Sequence, residues 1–300
     1  SETKNKEVTV GYKAGGYILA SANPPTGETI DWTGEITYYY TGNPNNWVQF
    51  AGFYWRIIRI NGDGTIRVIY QGTSANVTGV GTQIGTSAFN SSYNNNMYVG
   101  YMYKSGELHG LEKSSTIKEV LDNWYGTYLE NEEKDIHYAE YIDGNAGFCG
   151  DRRVTSGSGT GTSKTNYQPY TRMENSKPSL SCEKVDIYTI NEFEYGNGAL
   201  TQPIGLISAD EAMFAGVPWW ENGMSSDNYL YTGKVYWTMS PSNLTGGGAN
   251  VFYVSDGCNI IDHFPTSWDE SGVRPVINLR SDTVLSGPGT STDPFTVVGA

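Results

Sequence analysis

Two β-rich runs, FYWRIIRI at 53–60 and TIRVIY at 65–70, flank the turn sequence NGDG at 61–64. Asn and Asp each followed by Gly supply the positive-φ positions of a tight reversal, so the stretch predicts a β-hairpin. In the first strand Trp55, Ile57 and Arg59 alternate with Arg56, Ile58 and Ile60. Both faces carry apolar residues, so much of each face is expected to be covered. Whatever else the chain forms must pack on two sides of this hairpin.

The remaining segments are read against that demand. Ile117, Val120, Leu121, Trp124, Tyr125, Tyr128 and Leu129 recur at helical spacing and predict one amphipathic helix. Ser114 to Thr116 supply caps, and Thr116 with Glu119 fits a capping box; the acidic run 130–135 ends the helix. A second helix is expected from Ser208 to about Ala215, opened by a Ser208/Glu211 capping box and stopped by GVP at 216–218. Strands are expected at 234–240, 250–256 and 273–280, with one last short strand in the tail. The 37 glycines and 23 tyrosines suit strands, turns and ordered loops better than a helical bundle. The expected class is α+β with short antiparallel strands, two main helices and long ordered loops. Residues 1–34 hold weak signals and are expected to form an N-terminal segment, a stalk or an extra strand; residues 35–300 are expected to form one domain.

A formal charge of −13 repels a phosphate backbone, so no nucleic-acid partner is expected. No run of 18 apolar residues occurs, so membrane attachment would come only through an anchor outside this chain. Cys149 and Cys182 flank a Gly/Ser/Thr-rich loop, TSGSGTGTSKTN at 155–166. A bridge across it would restrain the loop by roughly 3–4 kcal/mol and imply an oxidising, extracellular setting. Three unrelated thiols are the alternative. Cys258 is left over.

The search for chemistry finds little. No G-x-S-x-G, H-E-x-x-H, C-x-x-C, EF-hand or G-x-x-x-x-G-K-[ST] pattern is present. His109, His137 and His263 sit in unrelated contexts, and no two of the 32 acids stand out as a catalytic pair. Cys258, Asp262 and His263 lack the second ligand pair that a metal site needs. Neither metal nor cofactor is expected, and the chain reads as no enzyme.

What stands out is a compositional bias. From Ser242 through Ser267 there is no Lys, Glu, Gln, Met or Trp, although these supply 48 of the 300 residues. Those five are the residues that mutation of the two adenines of an AAC or AAT codon cannot reach. The blocks FAGFYWRIIRINGDGTIRVIYQG, STIKEVLDNWY, GFCGDRRV, NGALTQPIGLISADEAMFAGV, YLYTGKVYWTMSPS and GVRPVINLRSD resemble a family of secreted or surface-anchored proteins of gut Bacillota. That family carries a C-type-lectin-like domain related to the formylglycine-generating-enzyme fold. The segment at about 242–267 resembles the variable region of proteins diversified by retroelements.

The resemblance implies a lectin-like scaffold that includes Tyr236, Trp237, Met239, Val251, Val254, Val273, Arg274, Val276 and Leu279. It implies exposed, diversified ligand-binding positions at Asn243, Thr245, Gly248, Asn250, Tyr253, Ser255, Cys258, Asn259, Ile261, Asp262 and His263. Trp268 and Glu270 are not adenine-reachable and would be scaffold. The motifs of calcium-dependent sugar binding (EPN, QPD, WND) are missing, and a lone Cys258 does not supply the reactive cysteine arrangement of the enzymes. The implied function is a surface-displayed binder of a protein or glycan ligand; a pilus or other cell-surface structural subunit, or an adhesin without diversification, is the alternative. A lectin-fold enzyme ranks below both.

Overall fold

The computed structural model describes residues 24–220, 226–246, 248–262 and 264–300, together with the backbone of 8–9 and 17–18. The expected hairpin is the centre of the larger of two main sheets. Strands β1 (Gly27–Ile30) and β2 (Ile36–Tyr39) form one antiparallel hairpin, β3 (Trp47–Phe50), β4 (Phe53–Ile60) and β5 (Ile66–Gly72) follow as an antiparallel meander, and β2 and β3 each run antiparallel to β4. The β4–β5 turn works as the sequence requires. Asp63 Oδ1 accepts the Thr65 amide at 2.8 Å, and Gly64 takes φ +86°. Arg56, Arg59 and every apolar residue from Trp55 to Ile60 are buried, so the strand is covered on both faces. The β1–β2 hairpin spans the boundary expected at 34/35 and docks on β4 through Tyr38 and Tyr39. Residues 27–30 are therefore strand residues of the larger sheet.

Helix α1 (Thr116–Tyr128) lays Ile117, Leu121 and Tyr125 into the core, and Trp124 meets Phe53 at 5.3 Å between ring centres. Its N-cap is Ser115, whose hydroxyl accepts the Lys118 amide, so the cap lies one residue before Thr116 and a simple serine cap stands in place of the expected Thr116/Glu119 box. The reason is backbone geometry: Ser115 is extended whereas Thr116 is already helical.

The smaller sheet has five strands in the order β6 (Val154–Ser156), β7 (Thr165–Tyr167), β8 (Tyr236–Thr245), β9 (Gly248–Val254) and β10 (Ile260–Ile261), all antiparallel. A short helix that the sequence reading missed, α2 (Gln168–Glu174), follows β7 directly, with Pro169 in its first turn. Helix α3 (Ala209–Phe214) carries the Ser208/Glu211 capping box as expected. The Glu211 carboxylate also meets Arg59 Nε at 2.8 Å and Arg67 Nε at 2.6 Å, tying the helix start to β4 and β5.

Three strands complete the larger sheet from the other end of the chain. Strand β11 (Val276–Leu279) pairs with β5, β12 (Leu285–Ser286) with β13 (Phe295–Val297), and β13 lies parallel to β3. The tail thus holds two short strands where one was expected. The class is α+β. No helix among the described residues is long and apolar enough to cross a membrane. Cys149 and Cys182 form a disulfide across the loop that contains β6, β7 and α2.

Candidate recognition face

The segment singled out by composition begins inside a strand. Strand β8 was expected to stop at Ser240, but it runs through Pro241 to Thr245 because register shifts on both sides of Pro241 place the proline in a bulge. There its missing N–H breaks no ladder bond. Most of 242–262 is therefore sheet, with β9 and β10 as its core-facing part.

This corrects the expected exposure of the site residues. Of the ten that are described, Thr245 is exposed and Ile261 half-buried, whereas Asn243, Gly248, Asn250, Tyr253, Ser255, Cys258, Asn259 and Asp262 are buried. His263 lies outside the described residues. The causes are specific. Asn243 pairs with Asn250 across β8 and β9. Asp262 Oδ2 accepts from Ser242 Oγ at 2.6 Å and from Asn243 Nδ2 at 2.7 Å, and Asn250 Nδ2 donates to Asn243 Oδ1 at 2.8 Å. Four polar side chains that look like surface residues in sequence satisfy one another instead.

Gly248 has φ +122°, and a Cβ there would lie 2.5 Å from the Tyr93 ring. Ser255 and Asn259 close the turn between β9 and β10: the Ser255 amide donates to the Asn259 carbonyl, and Ser255 Oγ accepts the Asn259 amide. Cys258, in that turn at φ +61°, is fully buried. Burial pushes its thiol up to about 12, so it presents no reactive thiolate to the surface.

Around this pinned framework, aromatic rings step out to solvent. On one face of β9, fully buried Trp237 meets Tyr253 edge-on at 6.3 Å, and Tyr253 stacks on half-exposed Phe264 at 4.7 Å. Half-exposed Trp268 lies against Phe264. On the other face, buried Phe252 meets Trp219 at 5.6 Å, and Trp219 meets Trp220 at 5.5 Å and Tyr170 at 6.2 Å. Trp219, Trp220 and Tyr170 are half-buried. The segment 218–220 also covers the outer edge of β10: Ile260 donates to the Pro218 carbonyl and accepts from the Trp220 amide. Exposed Tyr93 sits beside the β8–β9 turn, its carbonyl bonded to the Ala249 amide.

The arrangement is an aromatic-rimmed tip over a hydrogen-bonded polar framework. Such surfaces bury large area at low entropic cost and suit molecular recognition. Six of its residues, Tyr93, Tyr170, Trp219, Trp220, Phe264 and Trp268, were not among the expected site residues, although Phe264 lies within the biased segment. Their exposure depends on packing between distant segments, and only the clustering of Trp219 and Trp220 is a signal in sequence.

Two further polar clusters lie in the interior and serve as pins. Asp186 receives Arg152 Nε at 2.8 Å and stands 3.0 Å from His109 Nδ1, while Arg172 bridges Asp151 and Asp210 at 2.7 Å each. Comparison with protein-family models, with curated proteins and with solved structures gives no match.

Proposed function

We propose that this chain is an extracellular, surface-displayed ligand-binding protein on a C-type-lectin-like scaffold, with its binding surface at the tip formed by β8, β9, β10 and the residues that flank β10. The observation that carries the reading is the outward step of the aromatic rings, from Trp237 through Tyr253 to Phe264 and from Phe252 to Trp219, within the compositionally biased segment and beside it. Tyr and Trp anchors interleaved with small hydroxylated residues are the composition of a protein-binding paratope. The disulfide is compatible with an oxidising exterior. In this reading diversification acts on the half-buried and exposed positions Thr245, Ile261, Phe264 and Ser267, while the buried amides hold the framework.

A display library randomised at those four positions tests it. The expected result is that most members stay folded and that panning against unrelated proteins enriches distinct binders. The reading fails if randomisation abolishes folding, or if enrichment is no better than for a library randomised at exposed positions on the opposite sheet.

A further inference from the structure

The interior arginines divide into two groups. Arg59, Arg67 and Arg152 each meet a buried carboxylate. Arg56 is equally buried but meets only neutral groups: its Nε donates to Asn46 Oδ1 at 2.6 Å, and its Nη2 donates to the Pro44 carbonyl at 3.0 Å and to Asn43 Oδ1 at 3.3 Å. Its guanidinium carbon lies 4.3 Å from the Trp47 ring centre and 5.2 Å from that of Tyr229. Arg274 has the same character, donating to the Tyr70 carbonyl and to Gln71 Oε1 at 2.7 Å. Buried charges are ordinarily matched by an opposite charge, because leaving one unmatched is costly. Here two cations stand close together, in a protein of net charge −13. Burial, with Arg274 adding to it, pulls the Arg56 guanidinium down to about 9.

Of the two, Arg56 itself lines a cavity. Arg56 and Gln71, the residue that holds Arg274, line a hollow of about 440 Å³ between β3, β5 and the 290–291 turn. That volume is in the range of small-molecule sites. No Asp or Glu is among its described lining residues. Trp47 and Tyr229 add aromatic surface, and the buried Tyr229 hydroxyl has no hydrogen-bond partner among the described residues. Amides and hydroxyls supply most of the rest of the wall, with Pro44 and Val77. An unmatched guanidinium, an unpartnered hydroxyl and a polar, ring-bearing wall together describe a ligand with one negative charge and several hydroxyl groups.

We propose that this cavity binds a carboxylate-bearing sugar of the uronate or sialate class, with Arg56 facing the carboxylate and the amides receiving the hydroxyls. The site lies on the larger sheet and does not rest on the recognition face around β10.

Titration calorimetry of the full chain with glucuronate and N-acetylneuraminate tests the assignment, with glucose as the neutral control and acetate as the bare anion. At least one acidic sugar is expected to bind roughly tenfold or more tighter than glucose and than acetate, as one charge-assisted hydrogen bond allows. Arg56→Gln is expected to remove that preference. Should Arg56→Gln not fold, Ser291→Trp fills the rim while leaving the Arg56 hydrogen bonds intact, and is expected to abolish binding. The proposal is overturned if neither acidic sugar binds at millimolar concentration. Glucose or acetate binding as tightly, or Ser291→Trp leaving affinity unchanged, overturns it equally.

Discussion

Glu211 Oε1 lies 2.6 Å from Arg67 Nε with both side chains out of solvent, while Glu211 Oε2 accepts the Ser208 amide at 2.8 Å. One carboxylate therefore closes the first turn of α3 and fixes that helix to the central hairpin. Replacing it by Glu211→Gln leaves Arg59 and Arg67 without their counter-charge. The expected loss is about 3–5 kcal/mol of folding stability, the usual cost of breaking one side of a buried pair. Urea denaturation of the variant against the parent measures it. A loss under 1 kcal/mol would show that the capping role alone matters.

Acid stability follows from the same pair and from Asp186. Burial alone would raise both carboxyls, but Arg67 and Arg59 at Glu211, and Arg152 and His109 at Asp186, outweigh it and hold both below their ordinary values. A carboxylate with a depressed folded pKa contributes stability that is complete above its unfolded value of about 4 and is lost as pH falls through the folded value. Denaturation midpoints are therefore expected to stay level from neutrality to about pH 5 and to fall below pH 4. Asp186→Asn is expected to flatten part of that fall. A midpoint that drops between pH 7 and 5 would contradict the assignment.

The disulfide closes a loop with 33 residues of sequence separation. On the chain-entropy account, its loss in a Cys149→Ser, Cys182→Ser double variant is expected to cost roughly 3–4 kcal/mol. Reductant added to the parent protein is expected to give a similar shift in the denaturation midpoint. Unchanged stability on reduction would mean that the loop is held by Arg172, Asp151 and Asp210 instead.

Cys258 is expected to be silent toward a thiol reagent at pH 8 in the folded protein and to react as one equivalent after urea is added. Its thiol is fully buried and pushed up to about 12. Rapid labelling of the native state would show that the β9–β10 turn opens readily.

Within the compositionally biased segment, tolerance to substitution is expected to divide by burial. Asp262→Ala strands the Ser242 and Asn243 donors and is expected to cost about 1–3 kcal/mol. Gly248→Ala combines a left-handed backbone with a clash at Tyr93 and is expected to cost a similar amount, about 1–3 kcal/mol. Thr245→Ala is expected to change stability by less than about 0.5 kcal/mol, as for exposed positions generally. Thermal melts of the three variants check the ranking.

The parts of the fold visible in sequence are those governed by local rules. The NGDG turn, the apolar stripe of α1 and the Ser208/Glu211 box each specify their structure within a few residues, and each is found. What escaped depends on distant partners. Strand β8 passes Pro241 because β9 accommodates a bulge opposite it, and α2 is too short to show a period. Exposure of residues 243–263 is what the resemblance to a variable region implies, and Asn, Ser and Asp are residues usually found at the surface. Asn243, Asn250 and Asp262 instead consume one another's hydrogen bonds, a property of the set and not of any one residue. The same blindness to partners hid the Arg56 cavity, since an arginine in a strand says nothing about whether an acid will face it.

The parallel pairing of Phe295–Val297 with Trp47–Phe50, and the antiparallel pairing of Val276–Leu279 with β5, have a temporal consequence. During synthesis the hairpin emerges well before residues 276–297, with both flanks of its sheet unfilled. Its two missing neighbours arrive some two hundred residues later. Until then β3 and β5 present open hydrogen-bonding edges that any extended chain could occupy. The larger sheet is therefore closed only once residues 276–297 reach those two edges.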